Sequence, residues 1–206
     1  EIECCLVDYG RRFLDTLAEK QVVIDGKKLR GTSPKLNGTK SDYLMNAYVS
    51  ENHIMIGQLR LKDKENEITA IPQVIDKLEI EDAVVSIDAI GTQVNIAQSI
   101  LDKKGHYFLA VKENQGALNE QIIDAFRYNK PLDTATQMDA DHGRIETRDC
   151  RILDVSAIED KEVAQRWPGL KTLVEITSTV DYGDHKATTV RHYISDEDFP
   201  KAAYFN

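Results

Sequence analysis

The chain has 206 residues, 41% of them apolar and 30% charged, which excludes a chain disordered by composition and fits one large domain or a domain with an insertion. No apolar run nears the roughly 20 residues of a membrane span, the start Glu1-Ile2-Glu3-Cys4-Cys5 is unlike a signal peptide, and the three cysteines make neither a disulfide framework nor a zinc cluster. A cytoplasmic protein without membrane contact is expected. The net charge of −9 weighs against a nucleic-acid binder, but residues 11–40 hold eight basic side chains against three acids and residues 51–90 hold nine acids against four bases. A basic patch beside an acidic body is one reading of this, and a solvated surface of mixed sign is the other.

Residues 10–20 set Phe13, Leu14, Leu17 and Ala18 at helical spacing, a short lead-in helix. Gln21 to Ile24 is a β-branched run stopped by Asp25-Gly26, a buried strand ending in a turn. Residues 27–41 are rich in Gly, Ser, Pro and Lys and read as a loop. Tyr43 to Val49 and His53 to Leu61 are two strands, and Ser50-Glu51-Asn52 joins them as a hairpin. Glu67 to Leu78 has helical spacing interrupted by Pro72, so a break at Ala70-Ile71 or a start near Ile71 is expected. Asp82 to Asp88 is a second buried strand, Gln93 to Lys103 a helix stopped by Gly105, Tyr107 to Val111 a third buried strand, and Gly116 to Tyr128 a helix.

Strands separated by helices of crossover length pair in parallel. The elements therefore predict an α/β fold with a mixed sheet of order 3-2-1-4-5 flanked by helices. After Lys130-Pro131 the texture becomes β-rich: Arg144 to Val155, Leu170 to Val180 and Ala187 to Ile194 read as strands, with Tyr182-Gly183-Asp184 as a hairpin turn. The expected divisions are a lead-in over 1–20, a core over 21–129, a β-rich insertion over 130–200 and the start of a further segment over 201–206.

In that topology Asp25 and Asp88 end neighbouring strands. Two carboxylates brought close repel unless a cation sits between them, and hard oxygen donors suit Mg²⁺ or Mn²⁺. The alternative is that both acids are turn formers, as Asp commonly is at strand ends.

Two motifs carry a resemblance. Val23-Ile24-Asp25-Gly26-Lys27-Lys28-Leu29-Arg30-Gly31 resembles the first-acid motif of H-repeat-associated insertion-sequence transposases, and Ser86-Ile87-Asp88-Ala89-Ile90-Gly91-Thr92-Gln93 resembles the second. Asn66-Glu67-Ile68, Ala70-Ile71-Pro72, Tyr107 to Gln115, His142 to Arg148, Trp167-Pro168-Gly169-Leu170 and Arg191 to Ser195 follow in the same order. The resemblance runs from Phe13 onward. It implies a DDE transposase with an RNase H-like core, in which two Asp and one Glu hold two divalent ions that cut DNA ends and join them to a target.

The resemblance places the third acid in a Trp-x-Ile-Glu-Asn motif on a helix after the Tyr-Ile-Ser strand. No such motif stands before Asn206, so a core fragment lacking the family's N-terminal segment and third-acid helix is expected. Glu146, in a strand-like stretch, is the rival third acid.

Lys27, Lys28 and Arg30 are candidates to neutralise DNA phosphates. Lys112, Asn114 and Gln115 are candidates for a phosphate or a base edge, with a helix cap at Asn114 as the alternative. His142, Arg144 and Arg148 either contact DNA or decorate a strand, and Trp167 reads as a packed loop anchor. Partners expected are transposon-end and target DNA, with a homo-oligomer forming on DNA. The competing readings are a catalytically silent relic of such an element and an unrelated metal nuclease built on Asp25, Asp88 and Glu146.

Overall fold

The computed structural model describes residue 5 and residues 20–29, 43–51, 54–61, 66–141, 144–198 and 201–205. All of the expected helix over 10–20 but Lys20, which is not helical, lies outside the described residues, as do Arg30, most of the 27–41 loop and His142. The chain forms two compact units, Glu1–Leu109 and Ala110–Asn206.

In the first unit, strand alternation shapes β1 (Gln21–Lys28): Val22 and Ile24 are buried while Asp25 is exposed. The strand runs on through Lys27 and Lys28, for which the sequence predicts a loop. Their backbones pair with β2 (Tyr43–Val49), Lys27 opposite Leu44 and Lys28 opposite Tyr43, and this pairing outweighs the turn tendency of Asp25-Gly26. β2 pairs antiparallel with β3 (Ile54–Leu61). On its other side β1 pairs in parallel with β4 (Val84–Ile87), which pairs in parallel with β5 (His106–Val111). The resulting order, β3-β2-β1-β4-β5, is the mixed order expected.

Helix α1 (Glu67–Lys77) is continuous, which corrects the expectation of a break at Ala70-Ile71 or a start near Ile71. A capping box fixes its start at Asn66: the Thr69 amide donates to Asn66 Oδ1 at 3.0 Å, and the Asn66 amide donates to Thr69 Oγ1 at 3.2 Å. Pro72 then sits in the second turn, where it forfeits one backbone bond, and burial of Ala70, Ile71, Val74 and Ile75 carries the helix through. α2 (Val94–Asp102) ends on Lys104, at φ +58°, rather than on Gly105. The Gly105 amide reaches the Ile100 carbonyl at 3.1 Å and the Lys104 amide the Leu101 carbonyl at 2.8 Å, a Schellman ending. Gly105 serves a different need: a Cβ there would lie 2.9 Å from the Ile80 carbonyl oxygen. Val22, Ile24, Met45, Ala47, Val85 and Ile87 form the core beneath α1 and α2.

The second unit begins with α3 (Gly116–Tyr128), followed by β6 (Asp133–Asp141), β7 (Arg144–Asp154), a short α4 (Lys161–Gln165), β8 (Thr172–Asp181) and β9 (Lys186–Ser195). The last four strands lie antiparallel in the order β9-β8-β7-β6. Strand β6 is not legible in the sequence. Its Asp-Thr-Ala-Thr-Gln-Met-Asp-Ala-Asp run has no apolar alternation, and pairing with β7 along nine residue pairs makes it a strand. The expected hairpin turn follows β8, with Gly183 at φ +88° and its amide on Asp181 Oδ1 at 2.8 Å. Cys150, Ile152, Leu173, Val174 and Ile194 are buried with Phe126 of α3, and Trp167 is buried, as expected of an anchor. No helix among the described residues is long and apolar enough to cross a membrane.

Candidate functional site

The parallel register of β1 and β4 sets Ile24 beside Ile87. Asp25 follows Ile24 within β1, which runs on to Lys28 beside β2, and Asp88 directly follows β4, so both stand just past the last β1–β4 pair, toward the C-terminal end of the parallel strands, where ligands of α/β sheets gather. Asp25 is exposed, opposite Asn46 of β2. Asp88 caps the 3-10 turn Ala89–Gly91: its Oδ1 accepts from the Ile90 amide at 3.2 Å and its carbonyl from the Gly91 amide at 3.0 Å. Gly91 allows this turn to close, because a Cβ there would collide with Ile87 and stand 2.7 Å from Ile71 Cδ1.

A third carboxylate stands at the same end. Glu67 is the first residue of α1, and the Tyr43 hydroxyl of β2 donates to its Oε1. That oxygen lies over Gly26, the neighbour of Asp25; a Cβ on Gly26 would be 2.8 Å from it and 2.7 Å from the Tyr43 ring and hydroxyl. Burial, then the charge of Asp88, then that of Asp25 push the Glu67 carboxyl above its ordinary value. Sequence reasoning matches Asn66-Glu67-Ile68 to a motif but reads it as a helix start. The available signal is an acid at the first turn of the helix packed on the acid-bearing strand. As donors, Asp25 and Asp88 offer hard oxygens only, which fits Mg²⁺ or Mn²⁺ and no softer metal.

Lys27 and Lys28 are exposed on β1. In the second unit, Lys112 precedes the 3-10 turn Glu113–Gln115, its carbonyl accepting from the Gln115 amide at 2.9 Å. Gln115, not Asn114, occupies the cap position of α3, without a side-chain cap bond, because the intervening 3-10 turn shifts the helix start. Arg144 is exposed at the start of β7. Glu146 lies on that strand and accepts from Arg148 Nε at 2.9 Å.

The second unit also holds a charged ladder that sequence reading misses. Arg151, Glu175 and His192 face one another across β7, β8 and β9. Arg151 Nε donates to Glu175 Oε1 at 2.9 Å, and His192 Nε2 lies 3.2 Å from Glu175 Oε2. Phe126 of α3 stacks on His192 and lies 5.3 Å from the Arg151 guanidinium carbon. Burial works to raise the Glu175 carboxyl, but hydrogen bonds from His192 and Arg151, and their charges, hold it below its ordinary value. The partners lie 24 and 17 residues away in sequence, so no local pattern announces them.

The order β3-β2-β1-β4-β5, with Asp25 and Asp88 just past the last pair of β1 and β4, is that of an RNase H-like core. The chain belongs to the transposase DDE domain family, whose profile matches residues 17–191. It is 35% identical over 184 residues to the candidate transposase YncI of Escherichia coli O157:H7, covering 86% of this chain and 47% of that protein. It is 37% identical over 161 residues to an uncharacterized protein in the dhlA 3′ region of Xanthobacter autotrophicus (77% and 54% coverage). It is 32% identical over 202 residues to the H repeat-associated candidate transposase YhhI of Escherichia coli K12 (94% and 53% coverage). The chain thus spans about half the length of the curated relatives it matches. Among solved structures, a piggyBac transposase synaptic complex with hairpin DNA aligns over 91% of this chain and 37% of that one, at a TM-score of 0.47 and 12% identity.

Proposed function

We propose that the chain is the catalytic core of a DNA transposase, and that the full-length protein acts by divalent-metal-dependent strand cleavage and transfer. The observation that supports this most is the Ile24–Ile87 register, which sets two aspartates side by side in a chain of the DDE family. In this reading Asp25 and Asp88 hold Mg²⁺ or Mn²⁺. Such ions, held by these two carboxylates, would activate a water or 3′-hydroxyl and stabilise the leaving oxygen.

The chain's own groups hold and orient. β1 carries Asp25, and Asp88 directly follows β4, where the Ile90 amide orients its carboxylate. Lys27 and Lys28 neutralise DNA phosphates beside them, while Arg30, Lys112, Asn114, Gln115, His142 and Arg144 contact the backbone of the ends or the target. Glu146 is the rival third acid of this reading. Copies of the protein assemble on the DNA.

The test is nicking of supercoiled plasmid by the full-length protein, in Mn²⁺. Asp25→Asn and Asp88→Asn are each expected to abolish nicking with circular dichroism unchanged. A wild-type protein without metal-dependent nicking, or nicking that survives the double replacement, overturns the reading.

A further inference from the structure

We propose that Asn46, held by Gln58, and Arg60 make the sheet face that carries Asp25 a seat for the DNA strand flanking the reacting phosphate. This rests on the reading of Asp25 as a metal ligand of a DNA-cutting core.

Register brings these residues together from three strands. Asp25 of β1 stands opposite Asn46 of β2, which stands opposite Gln58 of β3, and Lys27, Leu44 and Arg60 form the next row. Residues directly opposite, and residues two apart on one strand, share a face. All six side chains therefore lie on the face of Asp25, while the intervening Ile24, Met45 and Ala47 are buried on the other. Asp25, Lys27 and Arg60 are exposed, and Asn46 and Gln58 are half-buried.

Gln58 Nε2 donates to Asn46 Oδ1 at 2.8 Å. The bond fixes the Asn46 amide and occupies its oxygen, so what Asn46 still offers is the N–H donors of Nδ2. Among the described residues Nδ2 has no partner. A donor held in this way beside a metal ligand suits a phosphate oxygen, the group that amide side chains commonly bond on DNA. Charge favours the same occupant: of the six side chains only Asp25 is acidic while Lys27 and Arg60 are basic, in a chain of net charge −9. Two strand spacings, about 10 Å, separate Asp25 from the residues of β3, and about three nucleotides of one strand rise that far along a duplex. A phosphate at Asp25 thus has its neighbours over Asn46 and Arg60. Asn46 fixes the register of the strand and Arg60 neutralises it, and neither reads sequence.

Fluorescence anisotropy of a labelled random-sequence duplex with the full-length protein, in EDTA and at several salt concentrations, tests the seat apart from the metal. Arg60→Ala is expected to weaken binding and to reduce the log–log salt slope by about 1. Asn46→Ala is expected to weaken binding by about tenfold with the slope unchanged, because no charge is lost. Gln58→Ala removes the same hydrogen bond but keeps Asn46; it is expected to lower the melting temperature as much as Asn46→Ala does and to weaken DNA binding less. Lys77→Ala, which removes an exposed cation at the end of α1, is expected to leave the slope unchanged. If Asn46→Ala and Arg60→Ala bind the duplex with wild-type affinity and slope, the seat is overturned, and loss of plasmid nicking in Asp25→Asn still leaves the metal reading standing. Equal melting losses in Asn46→Ala and Gln58→Ala with wild-type DNA affinity in both would assign the amide pair to the sheet alone and overturn its part in the seat. If the wild type binds no duplex, or Asp25→Asn still nicks, the reading of the core fails and the seat with it. Should Asn46→Ala fail to fold, Arg60→Ala decides: wild-type affinity and slope in it overturn the proposal.

Discussion

Glu67 and Glu175 are the same side chain pushed in opposite directions. Both lose water, which favours the neutral acid; Glu67 has two aspartates nearby, whereas Glu175 has Arg151 and His192. An unfolded Glu titrates near about 4.3. Because the folded Glu175 carboxyl lies below its ordinary value, its contribution to stability is present above that range and is lost as pH falls through the folded value. Glu175→Gln is therefore expected to cost roughly 1–3 kcal/mol at pH 7, and the deficit should shrink near pH 3. Urea unfolding at the two pH values measures it, and an equal deficit at both would contradict the assignment.

At the scale of elements, α1 shows how a cap outweighs a breaker. Asn66 and Thr69 settle where the helix begins, and the buried face of Ala70, Ile71, Val74 and Ile75 holds it against Pro72. Asn66→Ala is expected to lower stability by about 1 kcal/mol, read by chemical denaturation. The ends of α2 and β6 make the complementary point. Lys104 takes the left-handed position because Gly105 is needed one residue later for close approach to Ile80. In β6, Met138 is 68% exposed, so a chain without apolar alternation becomes a strand through its backbone pairing with β7.

For the whole molecule, the proposed role has to reconcile a net charge of −9 with DNA binding. A polyanion repels it at long range, so binding depends on local cations. Replacing Lys27 and Lys28 by Ala is expected to weaken DNA binding uniformly across sequences and to reduce the log–log salt slope by about 1 for each phosphate that is no longer neutralised. Fluorescence anisotropy at several salt concentrations measures both. An unchanged slope removes these lysines from the interface.

The order of the first sheet is legible because each signal is local. The β-branched runs before Asp25 and Asp88, and the crossover-length helices after them, settle which strands pair in parallel. The same logic puts the two aspartates on neighbouring strands from the sequence alone. What only the tertiary structure decided concerns groups far apart in the chain: Tyr43 on Glu67 across 24 residues, Glu67 over Gly26, and Glu175 between Arg151 and His192. Periodicity and turn chemistry report what a residue does to its own backbone. Hydrogen bonds and charge–charge effects depend on distance in space, and that distance exists only once the strands have paired and the helices have packed on them.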